Sequence, residues 1–249
     1  MVREFLRRRL PGPVLKWRWS QYYWREFNDS GEPELRELPK LVPPDKGALD
    51  IGGSVGTYTY HLSRLAKFVV TFEPNPDMHW RFSKLNLPNV SLEKVGLSDS
   101  EGIATLGVPA DTKDQGRASI EPHIVERQVG GTHHEIALRT LDSFGFKDIG
   151  FVKIDTEGHE EAILRGATEL IETCKPTFLI EIEEVHNPGG LSRITSMMEA
   201  QGYSVTFLDK GGQRRPITHF NAERDQSTEP ATGDGAHYIY NFLFEQKAA

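Results

Sequence analysis

Cysteine is almost absent: Cys174 is the single one in 249 residues, which excludes an internal disulfide and is compatible with a reducing compartment. Long apolar runs are missing as well. No stretch approaches the roughly 18 residues of a membrane-spanning helix, and Pro11 and Pro13 interrupt the sequence after Arg7-Arg8-Arg9, where a secretory leader would carry its apolar core. A cytoplasmic location is the expectation. Positive charge is in deficit, since 29 Lys and Arg against 36 Asp and Glu give −7, the wrong sign for a general nucleic-acid binder. Internal repeats and low-complexity segments are lacking too, which sets aside a solenoid.

What remains is an ordinary globular composition, 37% apolar and 26% charged, in a chain long enough to bury its own core without a metal or a partner. The charge is unevenly spread. Residues 1–27 hold seven basic and two acidic side chains, which leaves −12 for the rest. This opening is also aromatic (Trp17, Trp19, Tyr22, Tyr23, Trp24, Phe27), and a connector rich in Pro, Glu and Gly follows from Asn28 to Lys46. Residues 1–46 therefore read as a basic, aromatic extension and connector, and residues 47–249 as the domain.

Within the domain, short β-like runs alternate with helix-like ones: Gly47–Ile51 then Tyr58–Leu65, Phe68–Phe72 then Asp77–Leu85, Val90–Val95, Phe151–Ile154 then Glu160–Ile171, Thr177–Ile182 then Leu191–Gln201, Ser204–Leu208, and last His237–Phe244. Such alternation predicts an α/β fold, a doubly wound and mostly parallel sheet with helices on both faces. Residues 96–146 break the pattern with an extra hairpin, Ala104–Val108 against Glu135–Leu138. Loops at 109–134 and 209–236 are long and polar, and are expected to cover a substrate.

The first chemical signal is Asp50-Ile51-Gly52-Gly53-Ser54-Val55-Gly56-Thr57-Tyr58, a strand end, a glycine-rich turn and a helix start. Ligands bind at the carboxyl ends of strands in open α/β sheets. The spacing is G-G-x-x-G and not the G-x-G-x-x-G of dinucleotide binding, and an acid before the turn suits a cationic or hydroxyl-bearing ligand better than a pyrophosphate. The second strand ends at Glu73-Pro74, where a carboxylate can accept hydrogen bonds from both ribose hydroxyls of an adenosine-containing cofactor. The third delivers Gly96-Leu97-Ser98-Asp99, small and polar groups suited to an adenine ring, although Asp99 reads equally well as a turn residue. A fourth strand runs into Asp155-Thr156-Glu157-Gly158-His159-Glu160-Glu161. Glu160 and Glu161 suit the start of a helix, which leaves Asp155, Glu157 and His159 as chemical candidates. The next strand carries Glu181 and continues to His186.

These segments, with Arg139-Thr140-Leu141-Asp142, Leu164-Arg165-Gly166-Ala167, Lys175–Glu183 and Asn241–Phe244, resemble in order and spacing the FkbM-type S-adenosylmethionine-dependent methyltransferases, over about residues 47–245. One departure is Gly53, where such proteins often have Ala, followed by Ser54 in place of Asn. The resemblance implies a class I methyltransferase fold, a Rossmann-like, seven-stranded sheet whose last strand is antiparallel. It also implies methyl transfer to a hydroxyl, often on a sugar, glycolipid or polyketide. The residues expected to hold S-adenosyl-L-methionine are then Asp50, Gly52, Gly53, Ser54, Gly56, Thr57, Tyr58, Glu73, Pro74, Ser98, Asp99 and Asp155.

A sugar hydroxyl is a poor nucleophile while protonated, so a general base helps. His159 is the first candidate because imidazole titrates near neutrality, with Asp155 and Glu181 lining the pocket. The alternative is a divalent cation held by Asp155 and Glu181 that polarises the hydroxyl. Two other functions compete, a nicotinamide-dependent oxidoreductase and a noncatalytic S-adenosylmethionine-binding module. The expected partner is a hydroxyl-bearing small molecule or glycan and no nucleic acid. Peripheral membrane contact is a further reading of the N-terminal segment, opposed by Pro11, Gly12 and Pro13 as helix breakers.

Overall fold

The computed structural model describes residues 12–30, 32–110, 117–126, 130–209, 211–227 and 238–247. In chain order the strands are β1 (Gly47–Ile51), β2 (Phe68–Phe72), β3 (Val90–Glu93), β4 (Gly96–Leu97), β5 (Gly102–Val108), β6 (Thr132–Arg139), β7 (Ile149–Ile154), β8 (Thr177–Glu181), β9 (Tyr203–Leu208), β10 (Arg214–Pro216) and β11 (Asn241–Gln246). Eight of them form one sheet in the order β10-β9-β11-β8-β7-β1-β2-β3. From β3 to β8 the pairing is parallel, whereas β11 runs antiparallel to both β8 and β9. The order turns at β1, where one crossover sends the chain to β2 and another to β7, and a doubly wound sheet opens its ligand crevice at such a point.

The expected antiparallel last strand is present, and an eighth strand joins the expected seven. The chain reverses after β9 because the Asp209 carboxylate accepts from the Gly211 and Gln213 N–H groups, each at 2.9 Å, and this turn folds Arg214–Pro216 back antiparallel on β9. The predicted hairpin also forms, β5 against β6, and Gly96–Leu97 pairs with β6 to make a separate three-stranded sheet. The run expected over Val90–Val95 thus ends at Glu93, and the chain changes sheets before Ser98. His237, expected to open the last strand, lies outside the described residues.

Side chains alternate between the two faces of a strand. Leu49, Ile51, Val152, Ile154, Phe178 and Ile180 point to one face, under helices α4 (Glu160–Arg165), α5 (Thr168–Cys174) and α6 (Gly190–Ala200), and the longer helices earlier in the chain are α1 (Gly12–Arg25), α2 (Thr57–Leu62) and α3 (His79–Leu85). Ala48, Phe151, Leu179 and Leu243 point to the other face, against α2 and the connector residues Leu35, Leu38 and Leu41. The single helix expected over Glu160–Ile171 is split into α4 and α5. Gly166 there packs on the backbone of Ser98, and a Cβ at that position would lie 2.1 Å from the Ser98 carbonyl oxygen.

The N-terminal extension is docked on the body. Pro13 sits in the first turn of α1, where its missing N–H costs no helix bond, so the proline does not break this helix as expected. Leu15 and Tyr23 are buried, Trp19 packs on Trp80, and Tyr23 stacks on Tyr60 with ring centroids 4.6 Å apart. The Tyr23 hydroxyl donates to the Val55 carbonyl at 2.8 Å, tying the helix to the glycine-rich turn.

Candidate functional site

Gly52 opens the turn after β1 with φ +82°, and a Cβ there would lie 1.8 Å from the Asp155 carbonyl oxygen, so only glycine lets β1 and β7 end this close together. The N–H groups of Gly52 and Gly53 both donate to the Phe72 carbonyl, at 2.9 and 3.1 Å. Glu73 completes the link to β2, because its Oε2 accepts from Ser54 N–H at 2.6 Å and its Oε1 from Asn75 N–H at 2.8 Å. Each of these oxygens keeps a lone pair for a second donor. Burial pushes the Glu73 carboxyl up to about 7, against the two backbone donors.

Two clefts lie on either side of this turn. The first is lined by Glu73 and Pro74, by the apolar side chains of Val95, Leu97, Leu106, Ile120 and Ile163, and by His159. The second is lined by Asp50, Thr57, Tyr58, Lys153 and, from the N-terminal segment, Tyr22, Glu26 and Glu32. Gly52, Ser54 and Asp155 line both. The apolar walls and the buried carboxylate of the first cleft offer the chemistry that an adenosine's base and ribose hydroxyls would use. The acidic second cleft fits the ammonium of an amino-acid tail, and an elongated molecule spanning both crosses Asp155.

Asp50, Lys153 and Asp155, which line the second cleft, belong to a polar row set by strand alternation. Asp50 on β1, Lys153 and Asp155 along β7, Glu181 on β8 and Asn241 on β11 share one face, with Asp50 opposite Lys153 and Glu181 opposite Asn241 in register. Asp50 accepts from the Thr59 hydroxyl, which also bonds Thr71. The fully buried Lys153 ammonium donates to Asn241 Oδ1 at 3.0 Å, lies 3.9 Å from Glu181 Oε2 and sits over the Tyr58 ring. Burial works to lower its pKa, but Asp155, Glu181, Glu32 and Asp50 outweigh that and hold it above the ordinary lysine value. Burial raises the Asp155 and Glu181 carboxyls. Lys153 opposes this for both; the Glu157 and Glu32 charges reinforce the rise at Asp155, and the Asp155 charge reinforces it at Glu181. Glu32, from the connector, accepts from Tyr58 Oη at 2.5 Å and from Asn241 Nδ2 at 2.7 Å, so this segment is part of the site wall.

His159 stands at the entry to α4. Its Nδ1 pairs with Glu121 Oε1 at 2.7 Å and its Nε2 with the Ser98 hydroxyl at 2.9 Å, so both ring nitrogens are engaged on the first-cleft side. The Glu121 carboxyl is held below its ordinary range chiefly by this bond. Asp99 does not face the cleft, contrary to expectation: it lies in a bend past the end of β4, is exposed and pairs with Arg165 at 3.1 Å. Gly56 lies in the turn at φ +86° with its N–H bonded to the Gly53 carbonyl and lines neither cleft. Of the loop at 109–134, Ser119 donates to the Glu157 carbonyl at 2.9 Å and Glu121 reaches His159, so its described part walls the first cleft. His186 Nδ1 pairs with Glu157 at 2.9 Å, which raises its pKa.

Sequence reasoning missed Lys153, Glu32, Asn241 and Glu121. Lys153 had a signal, a cation inside an otherwise apolar strand that must be buried on both faces. Glu32 and Glu121 had none, since single acids in polar segments are commonplace. For a cation between Asp155 and Glu181, ligand atoms of Asp155, Glu157 and Glu181 do lie within 4.8 Å of one another, but Lys153 already places a positive charge beside them.

Comparison with known proteins gives a family match. The profile of the Methyltransferase FkbM domain matches residues 47–205. A hexuronic acid methyltransferase, AglP, of Haloferax volcanii is 26% identical over 178 residues, covering 70% of this chain and 71% of that protein. Methyltransferase 1 of Beauveria bassiana is 24% identical over 191 residues, covering 66% and 74%. The crystal structure of methyltransferase FkbM from Methylobacillus flagellatus KT shares the fold, with a TM-score of 0.50 and 17% identity over 86% of this chain; the match spans about half, 51%, of that chain. The nicotinamide-dependent reading gives way to these findings. With the crevice, the buried Glu73 and the domain match in agreement, the chain belongs to the FkbM methyltransferase family.

Proposed function

We propose that this protein transfers the methyl group of S-adenosylmethionine to a hydroxyl of a sugar-type acceptor. The meeting at Asp155 of an acidic cleft and an apolar cleft that holds the buried Glu73 carboxylate carries the reading, and the hexuronic acid methyltransferase among the relatives supports a carbohydrate acceptor. When bound, the cofactor supplies an electrophilic methyl group. Glu73 accepts the ribose hydroxyls, Pro74, Leu97 and Ile163 enclose the base, and Asp50 with Asp155 attracts the ammonium. Acceleration comes largely from holding the acceptor oxygen in line. Asp155, its carboxyl raised by burial, accepts the hydroxyl proton, while Lys153 limits that rise and keeps a share of the carboxylate ionised near neutrality. His159 holds Ser98 and the wall of the adenosine cleft rather than the reacting oxygen.

Asp155→Asn is expected to lower turnover about 100- to 10,000-fold, the range of a lost general base. Turnover of the parent enzyme should fall as pH drops through the raised Asp155 range, where the carboxylate gains its proton. The acceptor is found by incubating the full chain with S-adenosylmethionine and a panel of nucleotide sugars, oligosaccharides and polyketides, read by mass spectrometry. Calorimetric binding of the cofactor with no methylated product across the panel would favour the noncatalytic module, and failure to bind it would sink both.

A further inference from the structure

Helix α1 presents two faces that divide cleanly. Leu15, Trp19 and Tyr23 recur every fourth residue and pack on the body against α2 and α3. Val14, Trp17, Gln21 and Trp24, at spacings of three and four, form the opposite stripe, since such spacings return to one side of a helix. Trp17 is 65% exposed and Trp24 58%, an unusual degree of exposure for side chains so large and apolar. Arg18 and Arg25 flank the stripe and are exposed, Lys16 is exposed at its border, and α1 contains no Asp or Glu. Trp24 also edges an apolar groove with Phe27, Pro39, Tyr60 and Leu65, whose rim carries exposed Arg64.

We propose that this face of α1 docks on an anionic phospholipid surface. Exposed tryptophans flanked by arginines, on a helix lying flat against its own domain, are the makings of an interfacial anchor: the rings enter the headgroup boundary and the guanidinium groups meet lipid phosphates. Charge complementarity selects the occupant. Residues 28–249 carry −12, so an anionic bilayer repels the body and attracts the acid-free helix, which fixes the orientation of the bound protein. Tyr22 lies at the edge of the outer face and lines the second cleft, so the docked helix brings the rim of that cleft to the surface. The inference does not depend on which acceptor is methylated.

The test is cosedimentation of the full chain with vesicles of phosphatidylcholine, with and without phosphatidylglycerol, at low and high salt. Binding is expected to the anionic vesicles at low salt, with a blue shift of tryptophan emission, and to weaken as salt screens the charges. Trp17→Ser with Trp24→Ser should weaken partitioning by on the order of tenfold per tryptophan, and Arg18→Glu with Arg25→Glu by at least about fivefold per arginine. Both pairs lie on the exposed face and should leave the circular dichroism and S-adenosylmethionine binding intact. No binding to anionic vesicles at low salt, or equal binding by the tryptophan variant, overturns the proposal. So does light scattering that finds an oligomer which the tryptophan variant dissociates, since a second copy of the chain would then cover the face.

Discussion

Replacing Glu73 by glutamine probes the cofactor site at the residue that joins two strand ends. Glu73 is 5% exposed and already receives Ser54 N–H at 2.6 Å and Asn75 N–H at 2.8 Å. Glutamine keeps one acceptor oxygen, and its amide NH₂ then faces either a backbone N–H or a ribose hydroxyl without bonding as the carboxylate did. Losing one charge-assisted bond costs about 1.5–3 kcal/mol, which is roughly a 10- to 150-fold rise in the dissociation constant for S-adenosylmethionine. The pH dependence has a definite sign. Burial lifts the carboxyl from its ordinary 4.5 to about 7, whereas hydroxyl donors favour the ionised form, so binding expels a proton below that range. Affinity should therefore fall by up to about tenfold per pH unit on going below about 7, and level off above it. The same raised value makes the folded state prefer the protonated acid. Its cost to stability is absent below 4.5, grows as pH rises, and is complete above about 7. Glu73→Gln escapes that cost, so its stability relative to the parent should improve as pH rises through the window. Calorimetric titration and thermal melts across that window measure both effects. A variant that binds within twofold of the parent, or a parent-minus-variant difference that is flat with pH, would refute the assignment.

Three further outcomes follow from the same geometry. His159→Asn should weaken cofactor affinity several-fold through the lost Ser98 bond, by about 1 kcal/mol, with turnover at saturating cofactor within about tenfold; a loss of about 100-fold or more in turnover with unchanged affinity would mark His159 as the base. Gly166→Ala must move the Ser98 backbone, which a Cβ would approach to 2.1 Å; the strain of about 1–3 kcal/mol should lower the melting temperature by on the order of 5 °C in a thermal scan. Exhaustive EDTA treatment should leave turnover unchanged, because Lys153 supplies the positive charge beside Asp155 and Glu181; loss of activity that Mg²⁺ or Mn²⁺ restores would assign those acids to a cation instead.

The sequence by itself determined the elements whose evidence is local. Largely apolar runs such as Phe151–Ile154 and Thr177–Ile182, broken by Lys153 and Glu181, announce strands covered on both faces, and the glycines after Asp50 announce the turn at the crevice, because backbone conformation and burial are written within a few residues. Glu73 was legible for the same reason, as an acid closing the second strand. The tertiary structure decided what depends on distant partners. Gly166 divides a helix that periodicity predicts as continuous, since Ser98, 68 positions earlier, comes against it. Asp99 turns outward because the chain changes sheets just before it. The charge on Lys153 is sustained by acids from β1, β7 and β8 and from the connector, and Glu32 reaches Asn241 across 209 positions. Such an array of like charges around one cation is costly to bury and forms only when four strand ends are held side by side, so no local pattern in the sequence can encode it.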